Sequence, residues 1–174
     1  MSGHSKWAQI KHQKGATDQK RGALFSKLLK TISVAARENP DPKLNPRLRS
    51  AIQKARENNV PNDNIERAIS KSSEAKELSE ITIEAYGPEG ISLIIIAVTD
   101  STNRTIAEIK KILSDCGAKF ANPGSVLWAF SKTDSGWQAN FPQTISEAAK
   151  TTLQATLQAI ESHDDVTHIY TNAL

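Results

Sequence analysis

The chain has 174 residues, room for one domain or for two small ones. Its 22 Lys and Arg against 19 Asp and Glu leave +3 before histidine is counted, and a single cysteine, Cys116, excludes an internal disulfide. No unbroken apolar run exceeds Leu93–Val98, far short of the ~20 residues of a membrane-spanning helix, and Met1–Gly15 lacks the apolar core of a secretory signal.

The small net charge hides a division. Residues 1–76 hold 16 basic and 7 acidic side chains, net +9, whereas residues 77–174 hold 6 and 12, net −6. Two domains are expected, a basic one over 1–76 and an acidic one over 77–174, with the basic half facing an anionic partner. The first 30 residues carry seven Lys or Arg and one acid, Asp18, a bias shared with organellar transit peptides. Only Arg21 of the seven is arginine, and the segment runs into a periodic helix with no cleavage-like break, so a mature cytoplasmic N-terminus is expected.

Ser2–Thr17 has no sustained apolar period and reads as an extended basic arm. A helix then starts near Thr17 or Asp18, with Leu24, Leu28 and Ile32, flanked by Phe25 and Leu29, as its apolar stripe. Asn39-Pro40-Asp41-Pro42 ends it. Asn45 caps a second helix whose first turn holds Pro46 and whose buried face is Leu48, Ala51, Ile52 and Ala55. Asn58-Asn59 and Pro61 stop it. Asn62 or Asp63 caps a short third helix with Ile65, Ala68 and Ile69 on one face. Such short helices need one another to be stable.

After the polar stretch Ser70–Ser79, the apolar period falls from about 3.6 to 2. Ile81, Ile83 and Ala85 alternate with polar neighbours in a first strand. Gly87-Pro88-Glu89-Gly90 turns the chain, and Ile91–Thr99 is a second strand, apolar enough to be central in its sheet. Asp100–Asn103 offers caps for a helix marked by Ile106, Ile109, Ile112 and Leu113, and Gly117 fits the left-handed position beyond its end. Asn122–Ser125 is a turn, Val126–Phe130 a strand, Thr133–Gly136 a loop and Trp137–Phe141 a short edge strand. Ser146 caps a helix with Glu147 in its first turn and a stripe of Ala149, Leu153, Leu157 and Ile160. Val166–Tyr170 is the last strand. The fold class expected is α+β: an N-terminal three-helix domain, then an α+β sandwich of two helices on one face of a mostly antiparallel sheet.

Chemistry is sparse outside the basic half. Lys6, Lys11, Lys14, Lys20, Arg21, Lys27 and Lys30 lie in a stretch nearly free of acid, and His4 and His12 add charge near a phosphate. Arg47, Arg49, Lys54, Arg56 and Arg67 extend the basic surface into the next two helices. Such a surface binds phosphate backbones through counterion release. Trp7 sits among these charges, placed to stack on an unpaired base. On charge alone, a solvated basic face with Trp7 folded onto the bundle is an equally good reading. The candidate nucleic-acid-binding residues are Lys6, Trp7, Lys11, His12, Lys14, Lys20, Arg21, Lys27, Arg47 and Arg49. The third helix offers Asn62, Asn64 and Arg67 to a DNA groove, but Glu66 repels phosphate. The irregular arm suits structured RNA better.

No metal site is expected. His4 and His12 stand eight apart and His163 and His168 five apart, with no cysteine or carboxylate set around either pair. Cys116, beside Asp115, reads as a buried structural thiol. Gly87–Gly90 lacks the lysine and helix of a phosphate loop, and Asp100–Thr105 reads as capping before anion binding. No Ser/His/Asp or Cys/His set stands out and no cofactor motif is present, so the reading is non-enzymatic.

Several runs are nonetheless specific. Met1–Ala16, Asp18–Leu28, Asn58–Ile69, Glu84-Ala-Tyr-Gly-Pro-Glu-Gly90, Thr99-Asp-Ser-Thr-Asn-Arg-Thr105, Asn122-Pro-Gly-Ser-Val-Leu-Trp128 and the closing Asp164-Asp-Val with Tyr170-Thr-Asn-Ala173 together resemble the YebC/PmpR family across nearly the whole chain. The resemblance implies a helical N-terminal domain plus α+β domains. It also implies a regulator of gene expression: the family includes a mitochondrial translational activator of cytochrome oxidase, members are usually described as DNA-binding transcriptional regulators, and others are placed at the ribosome, acting on translation. Members usually carry a further α+β domain inserted after the strand ending near Phe130, where this chain has only Lys132–Phe141. The expected function is a non-enzymatic nucleic-acid-binding regulator, a monomer without membrane contact. Its partner is structured RNA, ribosomal RNA and the ribosome, or DNA, acting as translational activator or transcriptional regulator. The alternative is a protein-interaction adaptor docking through its acidic half.

Overall fold

The computed structural model describes residues 18–73, 78–133 and 136–174. These fall into two compact units: a helical unit up to Glu80, with which Val98–Ser101 cluster, and an α+β unit of Ile81–Ala97 and Thr102–Leu174. Together they give the α+β class expected from the sequence. Among the described residues no helix is long and apolar enough to cross a membrane.

The helical unit is built from α1 (Asp18–Ala36), α2 (Pro46–Glu57) and α3 (Asn62–Ser70). Its core is the predicted stripe, with Leu28, Ile32 and Ala35 of α1 packed on Leu48, Ile52 and Ala55 of α2, on Val60 and on Ile65 of α3. Two Asx bonds shape the chain after α1: Asp41 N–H donates to Asn39 Oδ1 (2.8 Å) and Lys43 N–H to Asp41 Oδ1 (2.9 Å). Asn45 then does two jobs. Its Oδ1 accepts from Leu48 N–H at 2.9 Å, capping α2, while its Nδ2 donates to Ala35 O (2.8 Å) and Asn39 O (2.7 Å), tying that cap to the end of α1. Asn59, at φ 60°, takes the left-handed place after α2, and buried Val60 returns its N–H to Ala55 O at 3.0 Å. The cap expected from Asn62 or Asp63 is not made. Pro61 holds that position without a side-chain bond, and Asn62 is already helical.

The α+β unit carries β1 (Ser79–Tyr86), β2 (Ser92–Thr99), α4 (Thr102–Asp115), β3 (Lys119–Ala121), β4 (Phe130–Thr133), β5 (Gly136–Ala139), α5 (Glu147–Glu161) and β6 (Val166–Thr171). A four-stranded sheet runs β3-β1-β2-β6, with β3 antiparallel to β1 and β6 antiparallel to β2. Every residue of β2 is buried, as a central strand requires. On one face, Ile83, Ala85, Leu93, Ile95 and Ala97 pack with Ile109 and Leu113 of α4 and Leu153, Leu157 and Ile160 of α5. The predicted caps hold here. Ser146 Oγ accepts from Ala149 N–H at 3.2 Å, and Gly117 sits at φ 72° with Ala118 N–H on Leu113 O at 2.8 Å.

The other face corrects the sequence reading. Val126–Phe130 is not a strand: Leu127–Ala129 forms a 3-10 turn and pairing begins only at Phe130. Three residues earlier assigned to no element, Lys119–Ala121, form the edge strand β3. The strand expected at Trp137–Phe141 is shifted to Gly136–Ala139 and joins β4 in a separate hairpin rather than edging the main sheet. That hairpin and the turn before it cover Ile94 and Ile96, with Val126, Ala129, Phe130, Trp137 and Tyr170 in the second core layer. The approach is close. A methyl added at Gly136, whose φ is +126°, would lie 2.2 Å from Tyr170 Oη.

Candidate nucleic-acid interface

Lys20 and Arg21 are exposed near the start of α1, and Lys27 is half-buried on its third turn. Lys6, Trp7, Lys11, His12 and Lys14 lie outside the described residues. Arg47 and Arg49 stand two apart on α2 and so face different ways. Arg47 is half-buried between carboxylates, donating to Glu38 Oε1 at 3.1 Å and pairing with Glu80. Arg49 is exposed and donates to Pro42 O at 3.2 Å.

Arg49 belongs to a face that the charge count alone did not single out. Arg49, Gln53 and Arg56 follow at i, i+4 and i+7, all exposed, and border a groove of about 380 Å³ with Pro42, Ile52 and Glu57. Gln53 Nε2 donates to Glu57 Oε1 (3.0 Å) and Arg56 Nε to Asn62 Oδ1 (3.3 Å). Two guanidiniums about 10 Å apart along the helix, with an amide between them, are side-chain types that contact phosphates and base edges. Gln53 was missed because it is uncharged; the i, i+4, i+7 relation to Arg49 and Arg56 was the available signal.

In the α+β unit, motifs far apart in the sequence meet. Glu84 on β1 is buried, and its carboxylate accepts three backbone N–H groups: Gly124 (2.5 Å), Val126 (2.6 Å) and Leu127 (3.0 Å). Tyr86 Oη donates to Ser125 O at 3.0 Å. The runs at Glu84–Gly90 and Asn122–Trp128 are thus two halves of one cradle. Glu89, at φ 54°, accepts from Ser146 N–H (3.2 Å) and Ser146 Oγ (2.6 Å), joining the β1–β2 turn to the start of α5.

His163 does have carboxylates around it, contrary to the reading from spacing. Its Nε2 lies 2.8 Å from Glu108 Oε2, and its Nδ1 accepts Asp165 N–H at 3.1 Å. One ligand atom each from Glu108, His163 and Asp165 falls within 4.8 Å of the others. Arg104 supplies a positive charge there, at 2.8 Å from buried Asp165 Oδ2, which also accepts from Thr105 Oγ1 at 2.7 Å. The motifs at Thr99–Thr105 and Asp164–Val166 meet in this network. Glu108 comes from α4, more than fifty residues before His163, so spacing along the chain could not reveal it. Cys116, expected to be buried, is partly exposed. Near it, Lys111 donates to Asp115 at 2.8 Å; that hydrogen bond, and then the opposite charge, raise the ammonium pKa above its ordinary value.

These features define a two-unit α+β protein: a cationic three-helix bundle, and a sheet clad by two helices on one face and by a hairpin on the other. The chain belongs to the TACO1/YebC family. Residues 5–75 match the TACO1/YebC protein N-terminal domain, and residues 78–134 match the model of the second and third domain. A "Probable transcriptional regulatory protein" of Petrotoga mobilis is 51% identical over 136 residues, 76% of this chain and 54% of that protein. One from Chlorobaculum parvum is 47% identical over 169 residues, 95% of this chain and 67% of that protein. One from Trichlorobacter lovleyi is 43% identical over 178 residues, 98% of this chain and 70% of that protein. The chain thus spans between about half and seven-tenths of these relatives' length. The crystal structure of a conserved hypothetical protein from Aquifex aeolicus is similar over 98% of this chain and 97% of that one, with a TM-score of 0.83 and 28% identity.

Proposed function

We propose that this chain is a non-enzymatic regulator of gene expression that binds nucleic acid through residues 1–76. The observation that carries the reading is the cationic exposed surface of the helical unit: Lys20 and Arg21 on α1, and Arg49 and Arg56 on α2, in a half of net charge +9. Counterion release from phosphates drives such binding. Lys6, Lys11, Lys14 and His12 extend the cationic set, with Trp7 stacking on an unpaired base.

The target proposed is structured RNA, with ribosomal RNA and the ribosome foremost, and the level of action translation. An irregular basic arm with one aromatic residue can follow a folded phosphate surface. The acidic 77–174 half, net −6, serves as a spacer or protein-facing module. A second reading, transcriptional regulation through DNA, is favoured by the names of the curated relatives and by the Arg49–Gln53–Arg56 face, whose side-chain types read base edges in a major groove. Crosslinking in cells, followed by sequencing of the recovered nucleic acid and by sedimentation with ribosomes, separates the two. Ribosomal RNA and co-sedimentation are expected. Promoter DNA without either would overturn the RNA assignment.

A further inference from the structure

Two large aromatic side chains of the α+β unit stand in solvent and touch each other. Trp128 is 66% exposed and Phe141 58%, with ring centroids 5.7 Å apart and planes tilted by 45°. Single exposed apolar residues are ordinary, as Leu44 and Leu174 are here, but a contacting aromatic pair forgoes burial twice at one place.

The pair is also held in position. The backbone leading into Trp128 is fixed by Glu84, whose carboxylate takes the N–H groups of Val126 and Leu127. Trp128 Nε1 donates to Ser125 O at 2.8 Å, which sets the indole plane. On the other side, buried Asn172 donates from Nδ2 to Phe141 O at 3.1 Å, and Asn140 N–H donates to Ala129 O at 2.8 Å. The Glu84 carboxylate and the Asn172 amide therefore hold the backbone that carries two rings the core does not use.

The side chains along the hairpin select the occupant. The exposed side chains along the hairpin are Ser131, Lys132, Gln138 and Asn140, one cation among three uncharged hydrogen-bonding groups. Planar rings with neutral donors and acceptors and a single lysine nearby along the chain suit a nucleobase, which offers a π-face and a polar edge. A phosphate would call for more cations than one lysine. We propose that Trp128 and Phe141 form a stacking site for an unpaired nucleobase, a contact in the α+β unit additional to the phosphate-binding helical unit. It rests on the reading that the chain binds nucleic acid.

The test uses the whole chain and two probes: a 12-nucleotide single-stranded RNA and a fully paired RNA duplex, each titrated across a salt series. Trp128→Ala and Phe141→Ala are expected to weaken single-strand binding by on the order of 5- to 150-fold, with the salt slope unchanged and duplex binding unaffected. Trp128→Phe keeps a ring and should retain most of the affinity. Independently of folding in the alanine variants, the fluorescence of Trp128, isolated in a Trp7→Phe/Trp137→Phe chain, should be quenched by the single strand and not by the duplex. Single-strand binding that survives both alanine variants, with no quenching, overturns the stacking site while the nucleic-acid reading stands. A concentration-dependent dimer in sedimentation that Trp128→Ala abolishes also overturns it, by making the face a contact between copies. An unsubstituted chain that binds neither probe nor duplex DNA at low salt overturns the nucleic-acid reading and this site with it.

Discussion

Glu84 shows how much one side chain can organise. A carboxylate in a buried strand position is costly unless its oxygens are occupied, and here three backbone N–H groups occupy them. The same bonds satisfy a turn that has no ladder of its own. Replacing Glu84 with Gln leaves one acceptor oxygen and turns an amide NH₂ toward at least one N–H group. The expected loss is about 1–3 kcal/mol in urea unfolding. An unchanged midpoint would show that the turn is held by its packing alone. The sequence showed Glu84 as a polar residue in an alternating strand, and nothing local marks it as the partner of a turn forty residues away. The motif resemblance flagged both segments without giving the reason they belong together.

At the scale of elements, capping and helix stops were legible because they are local. Asn45, Gly117 and Ser146 hold the positions their chemistry demands. Pro61, not Asn62, holds the position before the third helix, with no side-chain cap, and Asn62 is already its first residue. The hairpin was misplaced for a different reason. Val126–Ala129 is apolar enough for a strand, but the N–H groups of Val126 and Leu127 are given to Glu84 and that of Ala129 to Val126 O, and the ladder starts only at Phe130. Asn45 joins two helices through three hydrogen bonds. Asn45→Ala should therefore cost about 2 kcal/mol, at the upper end for a helix cap, and Asn45→Asp, which keeps the cap oxygen but loses both amide donations, should fall between. Equal stabilities for Asp and Asn would contradict the tie to α1.

The same scale separates two arginines that the sequence treats alike. Arg49 faces the groove, whereas Arg47 is held by Glu38 and Glu80. Arg49→Ala and Arg56→Ala should each weaken nucleic-acid binding and reduce the salt slope by about one unit or slightly less. Arg47→Ala should leave that slope nearly unchanged and show itself in the unfolding midpoint instead. A drop in slope for Arg47→Ala equal to that for Arg49→Ala would remove the distinction.

For the molecule as a whole, the charge division was the most legible functional signal, since it needs only counting. Which cations stay open to a partner was not, because that depends on which carboxylates fold back onto them, as Glu38 and Glu80 do onto Arg47. The family and the α+β class emerged from motifs spread along the chain, while the cladding of both sheet faces emerged only from tertiary packing. The central claim is that the basic half binds phosphates. It is tested most directly by titrating the whole chain against a structured ribosomal RNA fragment, and against duplex DNA of equal length, over a salt series. The account predicts tight binding at low salt, affinity falling linearly in log–log form with a slope of several phosphates, and preference for the RNA. Absence of binding to either at low salt, or an affinity indifferent to salt, would contradict it.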